Sequence, residues 1–244
     1  VFSLTVCMDG TDTRPNIIVP LVADLRWDDF GAGGHPFVET PNIDRIANEG
    51  ARFLNAFAST PLCSPSRAAF LTGLYAHANG IEDNLARNET SHELLTFPRA
   101  LNADGYETAF IGKWHMGNDD SPRPGFDRWV GMRGQGESVD PVLNIDGTRT
   151  PSPGYVTDVL TDFSIDFIEQ ERTGPFALYL SHKALHPNIF QADDGSSRAL
   201  VGQPRGFIAA ERHRGRYADE VIQRRFNATQ PIRGKPALQR QIGD

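Results

Sequence analysis

The sequence predicts an α/β fold in which a mostly parallel β-sheet is covered by helices on both faces. Three short apolar segments alternate along the chain with segments whose apolar residues recur at helical spacing. Strands separated by helices form βαβ units, and such units build parallel sheets with helices on either side. Hydrophobic residues make up 39% of the 244 residues and charged residues 23%, which is typical of globular proteins.

Strands are predicted at 16–22, 107–111 and 176–180. The first, NIIVPLV, is the near-continuous apolar run typical of a buried parallel strand. Pro20 is unusual there, because proline cannot donate to a strand ladder and is tolerated mainly at edges and bulges.

Helices are predicted at 41–50, 64–73, 97–104 and 155–171. The last is the clearest, because its apolar residues fall on one face at helical period. Asn42 is the predicted cap of the first helix, and Ser64, followed by Pro65, of the second. Glycines end the first three helices or directly follow them.

We predict three segments along the chain: an N-terminal tail (1–13), the α/β domain (14–190) and an irregular, basic C-terminal extension of the same domain (191–244). Residues 201–244 contain nine Lys or Arg against four Asp or Glu, with little periodicity. This basic excess is most simply a solvated surface, and a binding patch is the alternative.

Charge and composition exclude several classes of protein. The chain has 24 Lys plus Arg against 31 Asp plus Glu, a net charge of −7, which argues against a general nucleic-acid binder. It contains no apolar run of about 18 residues, so no membrane span is predicted. Cys7 and Cys63 are too few for a disulfide framework.

Polar residues follow the ends of the predicted strands, where ligands bind in open α/β sheets. A helix start at 63–67 lies between the first two strands, and helix N-termini favour anions. Together these groups predict a pocket for a tetrahedral oxyanion such as sulfate or phosphate. The candidate residues are Asp24, Cys63, Arg67, Lys113, His115, His182, Lys183 and His186.

Each of these residues also has a purely structural interpretation. Cys63 alone is more often a small buried hydrophobe. His115 alone is more often a hydrogen-bonded structural histidine, and Lys113 could stack on the neighbouring Trp114. Their joint occurrence at strand ends is what favours a binding site.

Residues 63–73, CSPSRAAFLTG, resemble the signature of the type I sulfatases, in which the cysteine is oxidised to formylglycine. Further similar motifs follow in order between Arg14 and His186. The resemblance implies an alkaline-phosphatase-like fold, with 14–190 as part of a sulfatase catalytic domain that is incomplete at its C-terminus. The motifs are RPNIIV, TPNIDRIANEG, GKWHMG, GFDRWVG and PFALYLSHKALH.

The resemblance also implies roles for individual residues. Cys63 would become the formylglycine, whose hydrate attacks sulfur and then expels sulfate, and would also be a metal ligand. Arg67 would steady the hydrate and the metal site. Lys113 and His115 would bind sulfate and handle the hydrate's proton. His186 would bind substrate, and it or a neighbouring lysine would assist the leaving group.

The metal site is where the sequence departs from the family pattern. The family has two adjacent aspartates that bind Ca²⁺ or Mg²⁺, whereas this chain has Ala23 followed by Asp24. The family's later aspartate-containing segment has no evident counterpart. A hard cation takes about six to eight oxygen ligands, so Asp24 and the modified Cys63 alone predict weak or absent metal binding.

Three functions remain open at this point. The first is a sulfatase acting on a carbohydrate or aryl sulfate, matured by a formylglycine-generating or other sulfatase-maturing enzyme. The second is an inactive relative, or a fragment, that binds oxyanions without turnover. The third is a phosphate mono- or diester hydrolase of the same superfamily. The resemblance implies a periplasmic or secreted location, or a lysosomal one in a eukaryote.

Overall fold

The computed structural model describes residues 13–199, 201–202, 206–222, 224 and 234. The chain divides into two compact units, Val1–Ala210 and Glu211–Asp244. The α/β fold lies in the first unit. The described residues of the second include a 3₁₀ turn at Glu211–His213. The predicted N-terminal tail, apart from residue 13, and much of the predicted extension lie outside the described residues.

The central sheet has six strands in the order β1-β6-β2-β3-β4-β5. The pairs β1–β6, β6–β2 and β2–β3 are parallel, and β3–β4 and β4–β5 are antiparallel. The predicted mostly parallel sheet is therefore confirmed. The strands are β1 (Ile17–Val22), β2 (Glu107–Lys113), β3 (Arg128–Met132), β4 (Val142–Ile145), β5 (Thr148–Pro151) and β6 (Phe176–His182).

Pro20 lies inside β1, paired in register with Leu180 of β6. Within the described part of the chain, no strand pairs with the other side of β1. Proline is tolerated at such an edge because its missing N–H removes no ladder hydrogen bond on the open side.

All four predicted helices are confirmed within a few residues of their ends. The short α3 and α4 were not predicted, since a helix of four to six residues shows no periodic pattern. The helices are α1 (Pro41–Glu49), α2 (Cys63–Thr72), α3 (Ala76–Asn79), α4 (Asn88–Glu93), α5 (Phe97–Ala103) and α6 (Val156–Ile168).

Two predicted caps are wrong. Thr40, not Asn42, precedes α1, and Pro41 is the first helical residue. Leu62, not Ser64, precedes α2, so the helix begins one residue earlier, at Cys63. The shift matters because it places the cysteine itself in the first turn, where backbone N–H groups are free.

Apolar side chains pack on both faces of the sheet, as predicted. On one face Ala68 and Leu71 of α2 lie in a cluster with Phe110 and Tyr179. On the other, residues of α6 such as Leu160 pack against the opposite side chains of the same strands. Side chains alternate along β6, so Leu178 and Leu180 face α6 while Tyr179 faces α2.

A second, two-stranded sheet follows β6. The strands β7 (Ile189–Gln191) and β8 (Ser197–Ala199) form an antiparallel hairpin where the sequence predicts irregular structure. Strands of three residues are too short to show alternation. Ser196 N–H donates to the Asp194 carboxylate at 2.9 Å in the hairpin turn. The hairpin lies across the predicted segment boundary at 190/191.

Candidate active site

The residues predicted for the oxyanion pocket come from four segments of the first unit. Asp24 follows β1, Lys113 ends β2, and Lys183 directly follows β6. Cys63 begins α2. Because β1, β6 and β2 are parallel neighbours, their carboxyl ends lie at one edge of the sheet.

Arg67 connects α2 to this edge. Its guanidinium is almost fully buried and donates to the Lys113 carbonyl at 2.6 Å and to the Ser181 hydroxyl. Ser181 in turn donates to the same carbonyl at 2.8 Å. The arginine thereby holds the first turns of α2 against the ends of β2 and β6. Its predicted role toward the nucleophile stays a prediction.

Lys113 is completely buried, and its ammonium has no hydrogen-bond partner among the described residues. Burial, and then the charge of Arg67, lower the pKa of Lys113 to about 7, while Cys63 and Asp24 act in the opposite direction. A buried cationic donor without a partner is costly in free energy. A bound oxyanion would supply the missing acceptor.

His115 lies two residues beyond β2 and is also buried. Its Nε2 is 2.5 Å from the Gln191 side-chain oxygen, whereas Nδ1 has no partner in the described structure. Burial, and then the charges of Lys113 and Arg67, hold the pKa of His115 far below its ordinary value. The imidazole is therefore neutral at physiological pH.

Lys183 and His186 occupy the loop after β6. The Lys183 ammonium is buried and donates to the Pro187 carbonyl at 3.0 Å, and burial lowers its pKa to about 8. His186 Nδ1 lies 2.9 Å from the same carbonyl, and Nε2 lies 3.9 Å from a carboxylate oxygen of Asp24. Burial, and then the charge of Lys113, lower the pKa of His186 to about 4.

Cys63 is a half-buried free thiol at the start of α2. A negative charge at this sulfur would raise the pKa of both Lys113 and Lys183, so the sulfur lies within electrostatic reach of both ammonium groups. The next residue, Ser64, donates through its N–H to the Asn84 side chain at 3.0 Å and through its hydroxyl to the His115 carbonyl. These contacts fix the first turn of α2 against the loop after β2 and against the segment between α3 and α4.

The structure thus brings Cys63, Lys113, Asp24 and the Lys183–His186 loop together. His182 is separate: at the end of β6 its position in the alternation puts it on the α6 face, away from Arg67. Its Nδ1 has no partner among described residues, and burial lowers its pKa.

Sequence reasoning named Lys183 only as a member of the cluster after β6, and it missed Gln191 entirely. The run SHKALH at a strand end was the available signal for Lys183. Nothing in the local sequence marks Gln191, because its contact with His115 joins residues far apart along the chain.

The described residues do not form the carboxylate cage that a divalent cation prefers. Across the described ranges, no group of three or more His, Cys, Asp or Glu side chains is placed to hold a metal ion. Ala23 offers no ligand, and the Asp24 side chain is 51% exposed. The surrounding charges belong mainly to cations, so the residues present do not fit a resident Ca²⁺ or Mg²⁺.

Comparison with known proteins identifies relatives of this chain. Residues 15–229 match the family model described as Sulfatase. An N-acetylglucosamine-6-O-sulfatase of Bacteroides thetaiotaomicron is 41% identical over 183 residues, covering 73% of this chain and 32% of the relative. The N-acetylgalactosamine-6-sulfatase of Homo sapiens is 32% identical, covering 87% of this chain and 45% of the relative.

Solved structures give the same result. A protein in complex with its substrate, D-glucosamine-2-N,6-O-disulfate, superposes with a TM-score of 0.73 at 36% identity, covering 88% of this chain and 40% of that one. The protein Ps i-CgsB, in complex with k-i-k-neocarrahexaose, gives a TM-score of 0.65 at 30% identity, with 71% and 46% covered. The matched part of the chain therefore spans 32% to 46% of the length of these relatives.

Proposed function

Because the chain belongs to the sulfatase family, we propose that it carries the nucleophile and the sulfate-binding cations of a sulfuric ester hydrolase. The observation that carries this proposal is the Lys113 ammonium, buried without a partner beside the helix that Cys63 begins. A sulfate group presents several acceptor oxygens to such a donor.

The residues divide the work by position. Formylglycine at position 63 would supply a hydrated aldehyde whose hydroxyl attacks the sulfur atom. Lys113 and Lys183 stabilise negative charge on the sulfuryl oxygens, because buried cations act strongly where water is excluded. His115 accepts a proton from a hydroxyl through its free Nδ1. Lys183, whose pKa is about 8, carries a proton that it can give to the departing oxygen, beside His186 and Asp24.

We propose a 6-O-sulfated amino sugar as the substrate class. Two relatives are named as 6-sulfatases of N-acetylated amino sugars, and a structural neighbour holds a 6-O-sulfated glucosamine. This substrate class is more specific than the one predicted from the sequence, which was a carbohydrate or aryl sulfate ester. The maturing enzyme as partner, and the secreted, periplasmic or lysosomal location, stay predictions from the family resemblance.

The test is an assay of sulfate ester hydrolysis by this chain, produced in cells that also express a sulfatase-maturing enzyme. We expect turnover of N-acetylglucosamine 6-sulfate and 4-nitrophenyl sulfate, and loss of both in Cys63→Ala. Faster hydrolysis of 4-nitrophenyl phosphate would instead support a phosphate ester hydrolase. The control is Thr161→Ala on α6, outside the signature, which removes a hydroxyl that donates to the Thr157 carbonyl at 2.7 Å and should leave both activities unchanged.

A second candidate function is oxyanion binding without turnover. It is favoured by Ala23, which leaves Asp24 as the one aspartate directly after β1, and by three buried cations at the site, Arg67, Lys113 and Lys183. If this function is right, the unmodified chain binds sulfate even when a chelator has removed divalent cations. Lys113→Met should weaken sulfate binding by roughly 10- to 100-fold, the value of a hydrogen bond to a charged group. Isothermal titration calorimetry with sodium sulfate measures the affinity of the parent and the variant. Equal affinities would refute sulfate binding by Lys113.

A further inference from the structure

The His115 ring contacts a buried glutamine, Gln191, which a second buried glutamine, Gln135, contacts in turn. Gln191, on β7, is 3% exposed and Gln135 is 4% exposed. The Gln191 side-chain oxygen lies 2.5 Å from His115 Nε2 and accepts a hydrogen bond from Gln135 Nε2 at 2.7 Å. One amide oxygen thus meets both a ring nitrogen and a second amide.

The orientation of the Gln191 amide follows from its other contacts. Its nitrogen donates to the Asn84 carbonyl at 2.8 Å and lies 3.4 Å from the Gly195 carbonyl. Carbonyl oxygens only accept, so the amide nitrogen must face them and the amide oxygen must face His115. That oxygen is likewise only an acceptor, so His115 Nε2 must carry the hydrogen.

A neutral imidazole carries one hydrogen, so Nδ1 of His115 has a free lone pair. This atom and the ammonium of Lys113 are both buried, and neither has a hydrogen-bond partner among the residues described. We propose that Gln191 is a positioning residue that holds His115 as the Nε2–H tautomer, which makes Nδ1 the acceptor for the nucleophile's proton. This proposal rests on the proposed function.

The proton transfer balances without any further reactant. The O–H bond of a hydroxyl in the pocket breaks, its electron pair stays on oxygen, and the proton forms a new bond to Nδ1. The ring then carries a proton on both nitrogens. Its Nε2–H keeps donating to Gln191, whose oxygen stabilises the cation. An uncharged amide suits this role, because it orients the ring without drawing a second proton to the resting histidine.

The hairpin that carries Gln191 is fastened to the site. Asn118 donates to the Asp193 carboxylate at 2.6 Å and to the Gln191 carbonyl at 3.2 Å. Asn84 accepts from both the Gln191 amide and Ser64 N–H, so the same residue contacts the hairpin and the first turn of α2. Because of these contacts, the position of the ring depends on the hairpin.

The tautomer can be read directly by long-range ¹H–¹⁵N NMR of histidine rings in the ¹⁵N-labelled, unmodified full chain. We expect His115 to be protonated at Nε2 alone in the parent protein. Gln191→Leu should convert a substantial fraction to the Nδ1–H form, and Gln191→Glu, which keeps an acceptor, should retain Nε2–H. Protonation at Nδ1 in the parent, or an unchanged tautomer in Gln191→Leu, would overturn the proposal.

A control separates positioning from general loosening of the hairpin. Asn118→Ala removes hairpin contacts but leaves the Gln191 side chain opposite the ring. We expect His115 of this variant to stay in the Nε2–H form. We expect its melting temperature to be no higher than that of Gln191→Leu. A tautomer change as large as that of Gln191→Leu would mean that Gln191 acts only through hairpin stability.

Kinetics of the matured enzyme supply the second readout. General acid–base catalysis is worth roughly 10²- to 10⁴-fold, so Gln191→Leu should lower kcat by up to that factor with KM unchanged. Gln191→Glu should recover part of the loss. If the parent is active and Gln191→Leu has the same kcat, the positioning role is overturned. If the parent is inactive but its NMR spectrum shows the expected tautomers, the proposed function is contradicted instead.

Discussion

Two residues of the site lie in left-handed backbone conformations. Asp24 has φ of +60° and His115 has φ of +52°. Such conformations cost a non-glycine residue roughly 1–3 kcal/mol and concentrate at functional sites. Both residues lie just beyond strand ends, so the backbone turns sharply as it leaves the sheet. These left-handed conformations place the two side chains at the edge of the sheet where the site lies.

The first prediction concerns the residue before Asp24. Ala23→Asp should tighten Ca²⁺ binding by at least about tenfold, because cation affinity rises with the number of carboxylate ligands. Titration calorimetry with CaCl₂ measures the change. The matched control, Ala103→Asp, adds the same charge at the exposed C-terminal end of α5 and should leave affinity unaltered. Equal Ca²⁺ affinity in parent and Ala23→Asp would show that position 23 does not face a cation site.

At the scale of single elements, the end of β2 depends on a glycine. Gly112 has φ of +124°, and a side-chain carbon there would overlap the Ser181 carbonyl oxygen of the neighbouring β6. The next residue is Lys113, whose carbonyl receives Arg67. The close approach of the two strands therefore sets the position from which the lysine enters the site.

Gly112→Ala should destabilise the chain by more than about 4 kcal/mol, because neither backbone can move away without breaking the sheet. Gly147→Ala provides the comparison: it also has positive φ, +95°, but no atom lies within 4 Å of the added carbon. That variant should lose only about 1–2 kcal/mol. Urea unfolding of both variants measures the difference, and similar losses would argue against the backbone clash.

The segment between β2 and β3 is held by an ionic network. The Asp119 carboxylate lies 2.8 Å from His92 Nε2 and accepts the Ser121 hydroxyl at 2.7 Å. Arg123, buried beside it, has its guanidinium carbon 5.9 Å from the centre of the Trp114 ring. Burial opposes ionisation of Asp119, but these hydrogen bonds hold its pKa well below the ordinary 3.8.

Asp119→Asn should lower the free energy of unfolding at pH 7 by roughly 1–3 kcal/mol. A carboxyl whose folded pKa is depressed stabilises fully above its unfolded pKa, near 3.8, and loses that contribution as pH falls through the folded value. The difference in the free energy of unfolding between parent and variant should therefore decrease as the pH falls below about 4. Denaturant unfolding across pH measures it; exposed Asp166→Asn, on α6, is the control and should show no such difference.

At the scale of the whole molecule, the apolar residues fall into two populations. Those on the two faces of the sheet are buried, as Phe110 is. Others lie on the surface before α2, where Phe53 is 75% and Phe57 89% exposed. Among the described residues, no helix combines the length and apolar character that crossing a bilayer requires.

Phe57→Ser should raise the solubility limit and change the free energy of unfolding by less than about 0.5 kcal/mol, because the ring is already in water. Phe110→Ala removes a ring of the same kind from the core and should cost about 3–5 kcal/mol. Light scattering and thermal unfolding provide the two readouts. A large loss of stability in Phe57→Ser would mean that the ring packs in solution.

Much of the architecture could be predicted from the pattern of apolar residues. The strands β1, β2 and β6 and the helices α1, α2, α5 and α6 were predicted because each is long enough to show a period or ends at a glycine or proline. The short β3–β5 strands and the β7–β8 hairpin were missed. The β4–β5 and β7–β8 pairs are local hairpins, in which Ile145 pairs with Thr148 and Gln191 with Ser197. Their strands of three or four residues are too short to show an alternating pattern.

The sequence by itself determined the fold class, the family and the set of candidate residues, Cys63, Arg67, Lys113, His115, His186 and Asp24. These depend on residue type and local spacing, which the chain carries whether or not it is folded. Only the tertiary structure decided that Lys113 is buried without a partner among the described residues, and that Gln191 faces His115. Burial and hydrogen bonding between residues far apart along the chain exist only once the sheet has brought their strands together.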